Sequence, residues 1–214
     1  MPDPNFYIES PRLYLSYFQP ALDAHCDFLV ELYNSPEFIR DATGGKGTSV
    51  KDREAARTRL ETFVAHHERN GYGIFLVSRK PPAEEEPAAS PADASTGFQE
   101  KLARAKLVGT VSLLRVNSPT AYKLPDLGFA MLPEEMRKGY AKEASQTLLE
   151  WAKRERGVDV AFGFTDPTNA GANGLFRSLG FEYRGIHKLV EFGGDEAAVW
   201  ISQGGEKDLS VYGL

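Results

Sequence analysis

Apolar and polar positions change period several times along the chain, and each change marks an element. Leu13-Tyr14-Leu15-Ser16-Tyr17-Phe18 is rich in β-formers, ends before Pro20 and predicts a first strand. Leu22, Phe28, Leu29, Leu32 and Tyr33 then recur on one helical face, which Asn34-Ser35-Pro36 terminates. The period disappears in Thr43-Gly44-Gly45-Lys46-Gly47, a glycine-rich loop without Walker spacing that reads as a connection over a cleft. Ser49 and Asp52 form a capping-box start for a second helix carrying Ala56, Leu60, Phe63, Val64 and His67 as far as Gly71. Tyr72 to Ser78 lacks alternation but is apolar throughout, as in a strand buried on both faces.

Between residues 80 and 104 the texture changes: four prolines, Glu84-Glu85-Glu86 and a background of Ala and Ser predict a flexible insertion. A short helix is expected from Gln99 to Lys106. The flanking segments Tyr72–Ser78 and Leu107–Val116 read as hairpin partners, so the insertion sits inside one domain spanning residues 1–214. Asp126 to Met131 is the next strand, and a long helix runs from Tyr140 to Arg156 with Ala141, Ala144, Leu148, Leu149 and Ala152 on its apolar stripe. Val158–Thr165, a short helix from Ala172 to Leu179, and two closing strands, Phe181–Val190 and Ala197–Ser202, complete an α/β layout with a mixed sheet of about seven strands and helical cover.

Composition narrows the function. Acidic residues outnumber basic ones, 30 to 25, so sequence-independent attraction to nucleic acid is not the expected activity and any basic site is local. The one cysteine, Cys26, excludes an intramolecular disulfide. No stretch resembles a signal peptide or approaches a membrane span, and the expectation is a cytoplasmic protein, monomer or homodimer, without membrane contact.

One local basic site stands out. The strand Leu127-Gly128-Phe129-Ala130-Met131 leads without a spacer through Pro133-Glu134-Glu135, Met136-Arg137-Lys138-Gly139 and into the long helix. A helix start offers unpaired N–H groups and positive dipole, Arg137, Lys138 and Lys142 add charge, and Gly139 admits close approach of a phosphate.

Two motifs, in this order, resemble the GNAT superfamily of N-acetyltransferases, within it the ribosomal-protein (RimJ/RimL-like) branch. The first is Gly128-Phe129-Ala130-Met131-Leu132-Pro133-Glu134 with Lys138-Gly139-Tyr140-Ala141 and Glu143-Ala144; the second is Asn169 with Leu179-Gly180-Phe181. The resemblance implies a mostly antiparallel sheet and acetyl-CoA as co-substrate, with no metal. It also implies a primary amine as acceptor: a peptide or protein N-terminus, or a small-molecule amine. It assigns the pyrophosphate to Met136, Arg137, Lys138, Gly139, Tyr140 and Ala141. The pantetheine arm falls to Phe129, Ala130 and Met131 on the strand and to Asn169, Ala172 and Phe176 beyond it. Consecutive N–H donors suit a diphosphate, and an open strand edge suits the amides of pantetheine.

The chain departs from the family in two places. Met136 stands where Gln or Arg is common, which backbone donors tolerate. Phe176, seven residues after Asn169, replaces a tyrosine that protonates the departing thiolate. Another group serves, or the thiolate leaves unassisted, since a thiol pKa near 8.5 makes it a tolerable leaving group. Asp126 is the candidate base, its alternative being an aspartate paired with Lys123 or solvated; Glu134 and Glu135 read as caps of the following helix. His66 and His67 close a helix, where imidazole suits the C-terminal dipole, and His25 and Cys26, adjacent on a helix, are not a catalytic pair. Phe176 and the uncertain base leave room for a non-catalytic acyl-CoA sensor; the 80–104 segment leaves room for an interaction module.

Overall fold

The strands between Leu13 and Met131 have apolar sides that the helices between the strands cover, while Phe162, Val199 and Ile201 of the later strands pack with Tyr122 and Leu209. The computed structural model of the protein describes residues 3–82, 98–118 and 120–214. Eight strands form one sheet: β1 (Tyr7–Glu9), β2 (Leu13–Tyr17), β3 (Ile74–Arg79), β4 (Lys106–Leu114), β5 (Asp126–Met131), β6 (Phe162–Thr165), β7 (Glu182–Leu189) and β8 (Asp195–Ile201). Their spatial order is β1-β2-β3-β4-β5-β6-β8-β7, and all pairs are antiparallel except β5 with β6. The expected hairpin relation of Tyr72–Ser78 with Leu107–Val116 is the β3–β4 pair.

On one face, α5 (Tyr140–Arg156) sets Ala144, Leu148, Trp151 and Ala152 against Phe75, Val77, Val111, Leu127 and Met131. On the other, α1 (Asp23–Asn34) and α3 (Arg53–Asn70) bury Cys26, Phe28, Leu29, Leu32, Ala56, Leu60 and Phe63 over Ile74 and Leu76. With cover on both sides, β3 is buried from Ile74 to Ser78, as its unbroken apolar run predicts. Leu22 is the exception on the α1 stripe: it precedes the helix and is 41% exposed.

Three differences from the sequence reading have local causes. The eighth strand, β1, has only three residues, too few for a period to register. Asn34-Ser35-Pro36 does not open a long loop: Ser35 ends α1 and also caps α2 (Pro36–Thr43), its Oγ accepting from Phe38 N at 3.2 Å, with Pro36 in the first turn. The α3 cap is Asp52 itself, whose Oδ1 accepts from Ala55 N at 2.8 Å. The short helix expected from Gln99 to Lys106 is α4 (Phe98–Arg104), which packs Phe98 and Leu102 on Tyr14; most of the residues of the predicted insertion and interaction module lie outside the described ones.

Candidate active site

β5 is fully paired with β4, from Asp126↔Leu114 to Met131↔Gly109, but meets β6 at one rung, Asp126↔Phe162. Beyond that rung the two parallel strands diverge, and the edge of β5 from Leu127 to Met131 faces open space. Cross-strand bonds are the normal destination of strand N–H and C=O groups, so this edge is ready for a ligand that carries amides.

The wedge continues into a cleft of about 910 Å3, within the range of cofactor sites. Leu127–Met131 of β5 form one wall, Phe164, Thr165 and Asp166 at the end of β6 another, and α6 (Ala170–Ser178) a third. Residues at the start of α5 and on α2 complete the lining.

The α5 end is an anion site by construction. Gly139 caps the helix at φ 83° and no side chain caps it, which leaves its first N–H groups to a ligand. Arg137, at φ 60°, is the one non-glycine residue in the left-handed region among those described, a strained conformation of the sort retained at binding turns. Glu135, the last residue of a short 3-10 turn at Pro133–Glu135, is buried and paired with Lys106 Nζ at 2.8 Å and Lys138 Nζ at 2.9 Å. It therefore braces the turn from beneath and does not cap α5. Burial opposes its charge, but the two lysines outweigh burial and hold the carboxyl below its ordinary range.

Arg12, from the β1–β2 turn, locks the same helix start from outside. Its Nε donates to Glu143 Oε2 at 2.6 Å, its main-chain N to Glu143 Oε1 at 2.8 Å, and its Nη1 to Lys138 O at 3.0 Å, while the guanidinium lies 4.8 Å from the Tyr140 ring centroid. Ser10 Oγ also donates to Glu143 Oε1, at 2.7 Å. Against the upward push of burial, these donors keep the Glu143 carboxyl below its ordinary range.

Of the residues assigned to the cofactor, Phe129, Ala130, Met131, Met136, Arg137, Gly139, Tyr140, Ala141, Asn169, Ala172 and Phe176 all line the cleft. Lys138 does not; its ammonium is held by Glu135. Asn169 caps α6, Oδ1 accepting from Ala172 N at 2.9 Å, so its side chain shapes the wall before it meets any ligand. Phe176 is 1% exposed, with its ring against Gly163, where a Cβ would overlap it, and among Phe129, Phe181 and Trp200. Lys142 joins the lining.

Asp126 occupies the shared rung and is not part of the cleft wall. Alternation along β5 puts it with Gly128 and Ala130 on the α1–α3 face. Apolar Leu114 and Phe162 flank it in register, and burial, partly offset by its own backbone N–H, raises its pKa to about 7. Lys123 is not its partner: that ammonium donates to Val211 O at 2.7 Å. The histidines lie away from the site. Burial pushes His25 and His67 down to about 4, so His67 is a neutral donor to Ile74 O at 2.8 Å and not the cation a helix C-terminus would favour. No cluster of three or more His, Cys, Asp or Glu side chains able to hold a metal occurs among the described residues, and no described helix is long and apolar enough to cross a membrane.

The sequence reading missed the α2 side of the cleft, where Glu37, Phe38, Arg40, Asp41 and Ala42 join the lining. The signal was present: Ser-Pro-Glu is a helix start as well as a helix stop.

A family model described as Acetyltransferase (GNAT) domain matches residues 12–182. No curated protein matches the chain. Among solved structures, the ribosomal α-N-protein acetyltransferase RimL in complex with coenzyme A superposes with a TM-score of 0.65 at 16% identity, covering 92% of this chain and 97% of that one. A Salmonella typhimurium acetyltransferase described as modifying the N-terminal serine of a 50S ribosomal subunit protein gives 0.62 at 17% identity, over 92% and 98%. A microcin self-immunity acetyltransferase in complex with acetyl-CoA and AMP gives 0.63 at 12% identity, over 90% and 93%. At these identities the likeness is one of fold.

Proposed function

The chain belongs to the GNAT acetyltransferase family, and from that premise we propose that it transfers the acetyl group of acetyl-CoA to a primary amine within a ternary complex. The observation that carries this reading is the meeting, in one cleft, of an uncapped helix start and an unpaired strand edge. A phosphate-bearing ligand with an amide-bearing arm satisfies both, and coenzyme A has that chemistry. The N–H groups of the Gly139–Lys142 turn bind the pyrophosphate, with Arg137 and Lys142 beside it, and the main chain of Phe129 and Met131 pairs with the arm.

Asp126, outside the cleft wall but next in the chain to Leu127 that lines it, takes the proton lost by the amine through intervening water as the nitrogen bonds to the acyl carbon and the carbon–sulfur bond breaks. A carboxyl raised to about 7 is a better base near neutrality than an ordinary aspartate. Phe176 has no proton to give, so the departing thiolate is protonated by solvent or leaves as the anion. The acceptor is a peptide or protein N-terminus or a small amine, and the compartment is the cytoplasm, where acetyl-CoA is made available to such enzymes.

Two measurements test the reading. Acetyl-CoA at millimolar concentration should raise the melting temperature, because a ligand of the native state stabilises it; an unchanged melting temperature refutes the cofactor assignment. Thiol release should then follow addition of at least one member of a panel of N-terminal peptides, polyamines and amino sugars. Stabilisation without turnover on any acceptor would instead support an acyl-CoA sensor, the reading that the buried hydrocarbon of Phe176 favours.

A further inference from the structure

Helix α6 has little to hold it in place. It is nine residues long, two of them are glycine (Gly171 and Gly174), and Phe176 is its one buried residue. Yet it forms a wall of the cleft, so a second anchor is needed to fix it on the sheet. Asn173 is that anchor. Its Oδ1 accepts from Thr165 Oγ1 at 2.6 Å and from Trp200 Nε1 at 3.0 Å, and its Nδ2 donates to Asp166 O at 3.3 Å and Pro167 O at 3.2 Å. An asparagine amide has two lone pairs on its oxygen and two N–H groups on its nitrogen, and both atoms are used twice. An indole N–H can only donate, so the amide atom facing Trp200 is the oxygen.

The four bonds join three pieces of chain: α6, the end of β6 with the two residues that follow it, and β8 at Trp200. Thr165 and Trp200 are buried, and neither donor has another acceptor among the described residues. Loss of the amide therefore strands two buried donors. Trp200 also stacks on Phe176, ring centroids 6.1 Å apart, so both anchors of α6 bear on one indole. Packing alone would be met by an apolar side chain, whereas an amide bonded at four points fixes orientation as well as distance. Asn173 does not line the cleft, but Thr165, Asp166, Ala172 and Gly174 around it do.

We infer that Asn173 is a positioning residue of the cleft: it holds α6 and the end of β6 at one spacing from the open edge of β5, and so shapes the slot that receives the amide-bearing arm of coenzyme A. The inference rests on the acetyltransferase reading and adds to it a residue outside the lining. Arm and pyrophosphate then depend on different parts of the chain, because the start of α5 is braced by Arg12, Glu135 and Glu143, and Asn173 bonds to none of them.

Coenzyme A and ADP, titrated separately by calorimetry, test this, since ADP carries the diphosphate without the arm. Asn173→Ala should weaken coenzyme A by about tenfold or more and leave ADP within about twofold of wild type. A general loss of structure would weaken both probes alike; that result overturns the assignment, as does unaltered coenzyme A binding. Should Asn173→Ala not fold, Asn173→Asp takes its place: it keeps an oxygen for Thr165 and Trp200, loses both amide donations, and should weaken coenzyme A about threefold with ADP again unchanged. Failure of both variants to fold overturns the inference, by making Asn173 a requirement of the fold and not of the cleft. A wild type that binds coenzyme A and not ADP overturns it as well, by denying the division of the cleft into two ends. A wild type that does not bind coenzyme A strikes the acetyltransferase reading itself.

Discussion

Arg12 and Glu143 are joined across the start of α5 by a 2.6 Å bond from Nε to Oε2, although 131 residues separate them in sequence. The carboxylate that an N-terminal first turn welcomes is thereby tied to the β1–β2 turn, and the same guanidinium reaches Lys138 O at 3.0 Å.

Arg12→Ala should therefore act on ligand affinity more than on stability. The Arg12 side chain is 49% exposed, so its ion pair is screened and its loss should cost about 1 kcal/mol or less. The turn it braces is the anion site, and coenzyme A affinity, measured by titration calorimetry, should fall about tenfold, on the order of 1.4 kcal/mol.

Asp126 links activity and stability to the same proton. Turnover should rise with pH along a limb centred near pH 7, and Asp126→Asn should lose that limb together with most of the rate. Because the native carboxyl holds its proton more tightly than the unfolded one, its contribution favours folding at acidic pH and is lost as pH climbs from about 4 through 7. Asp126→Asn should accordingly raise the melting temperature at pH 8, by a stabilisation of about 1–3 kcal/mol, and leave it nearly unchanged at pH 4.

Gly163 and Phe176 should behave as a coupled pair. A methyl group at Gly163 overlaps the Phe176 ring, and Gly163→Ala should destabilise by about 1–3 kcal/mol in urea unfolding. Phe176→Leu in the same chain should return part of that loss, giving a non-additive double-mutant cycle.

Glu135 gives the opposite pH signature to Asp126. Its carboxyl is held low, so its contribution is present above the ordinary glutamate range and disappears as pH falls through the lowered native value. Glu135→Gln should cost about 1 kcal/mol at pH 7, where Lys106 and Lys138 lose their shared partner, and little at pH 3. The comparison is a pair of thermal melts.

Periodicity reported what burial controls. The bounds of α5, Tyr140–Arg156, and the two-sided cover of β3 follow from stripes and runs, because residues such as Leu148, Ala152 and Leu76 are in the core and nothing else competes for them. The cofactor end was legible too, since a helix start after glycine is a backbone feature and backbone geometry is written locally. Ser35 was misread because it ends one helix and begins the next with the same atoms, its backbone N–H bonding to Leu32 O while its hydroxyl caps α2. The open edge of β5 was expected from the family resemblance, whereas Arg12 and Glu37 were beyond the sequence reading for a different reason. Each is defined by what it meets far along the chain.

The solitary β5–β6 rung makes the sheet two panels joined at a single pair, β1–β5 on one side and β6–β8 on the other, with α5 packed on the first, α6 on the second, and the two helices in contact. A ligand bonded to the free edge of β5 and to the α6 wall would act as the missing seam. Amide protons along β6 and α6 should be the ones whose exchange slows most when coenzyme A is added.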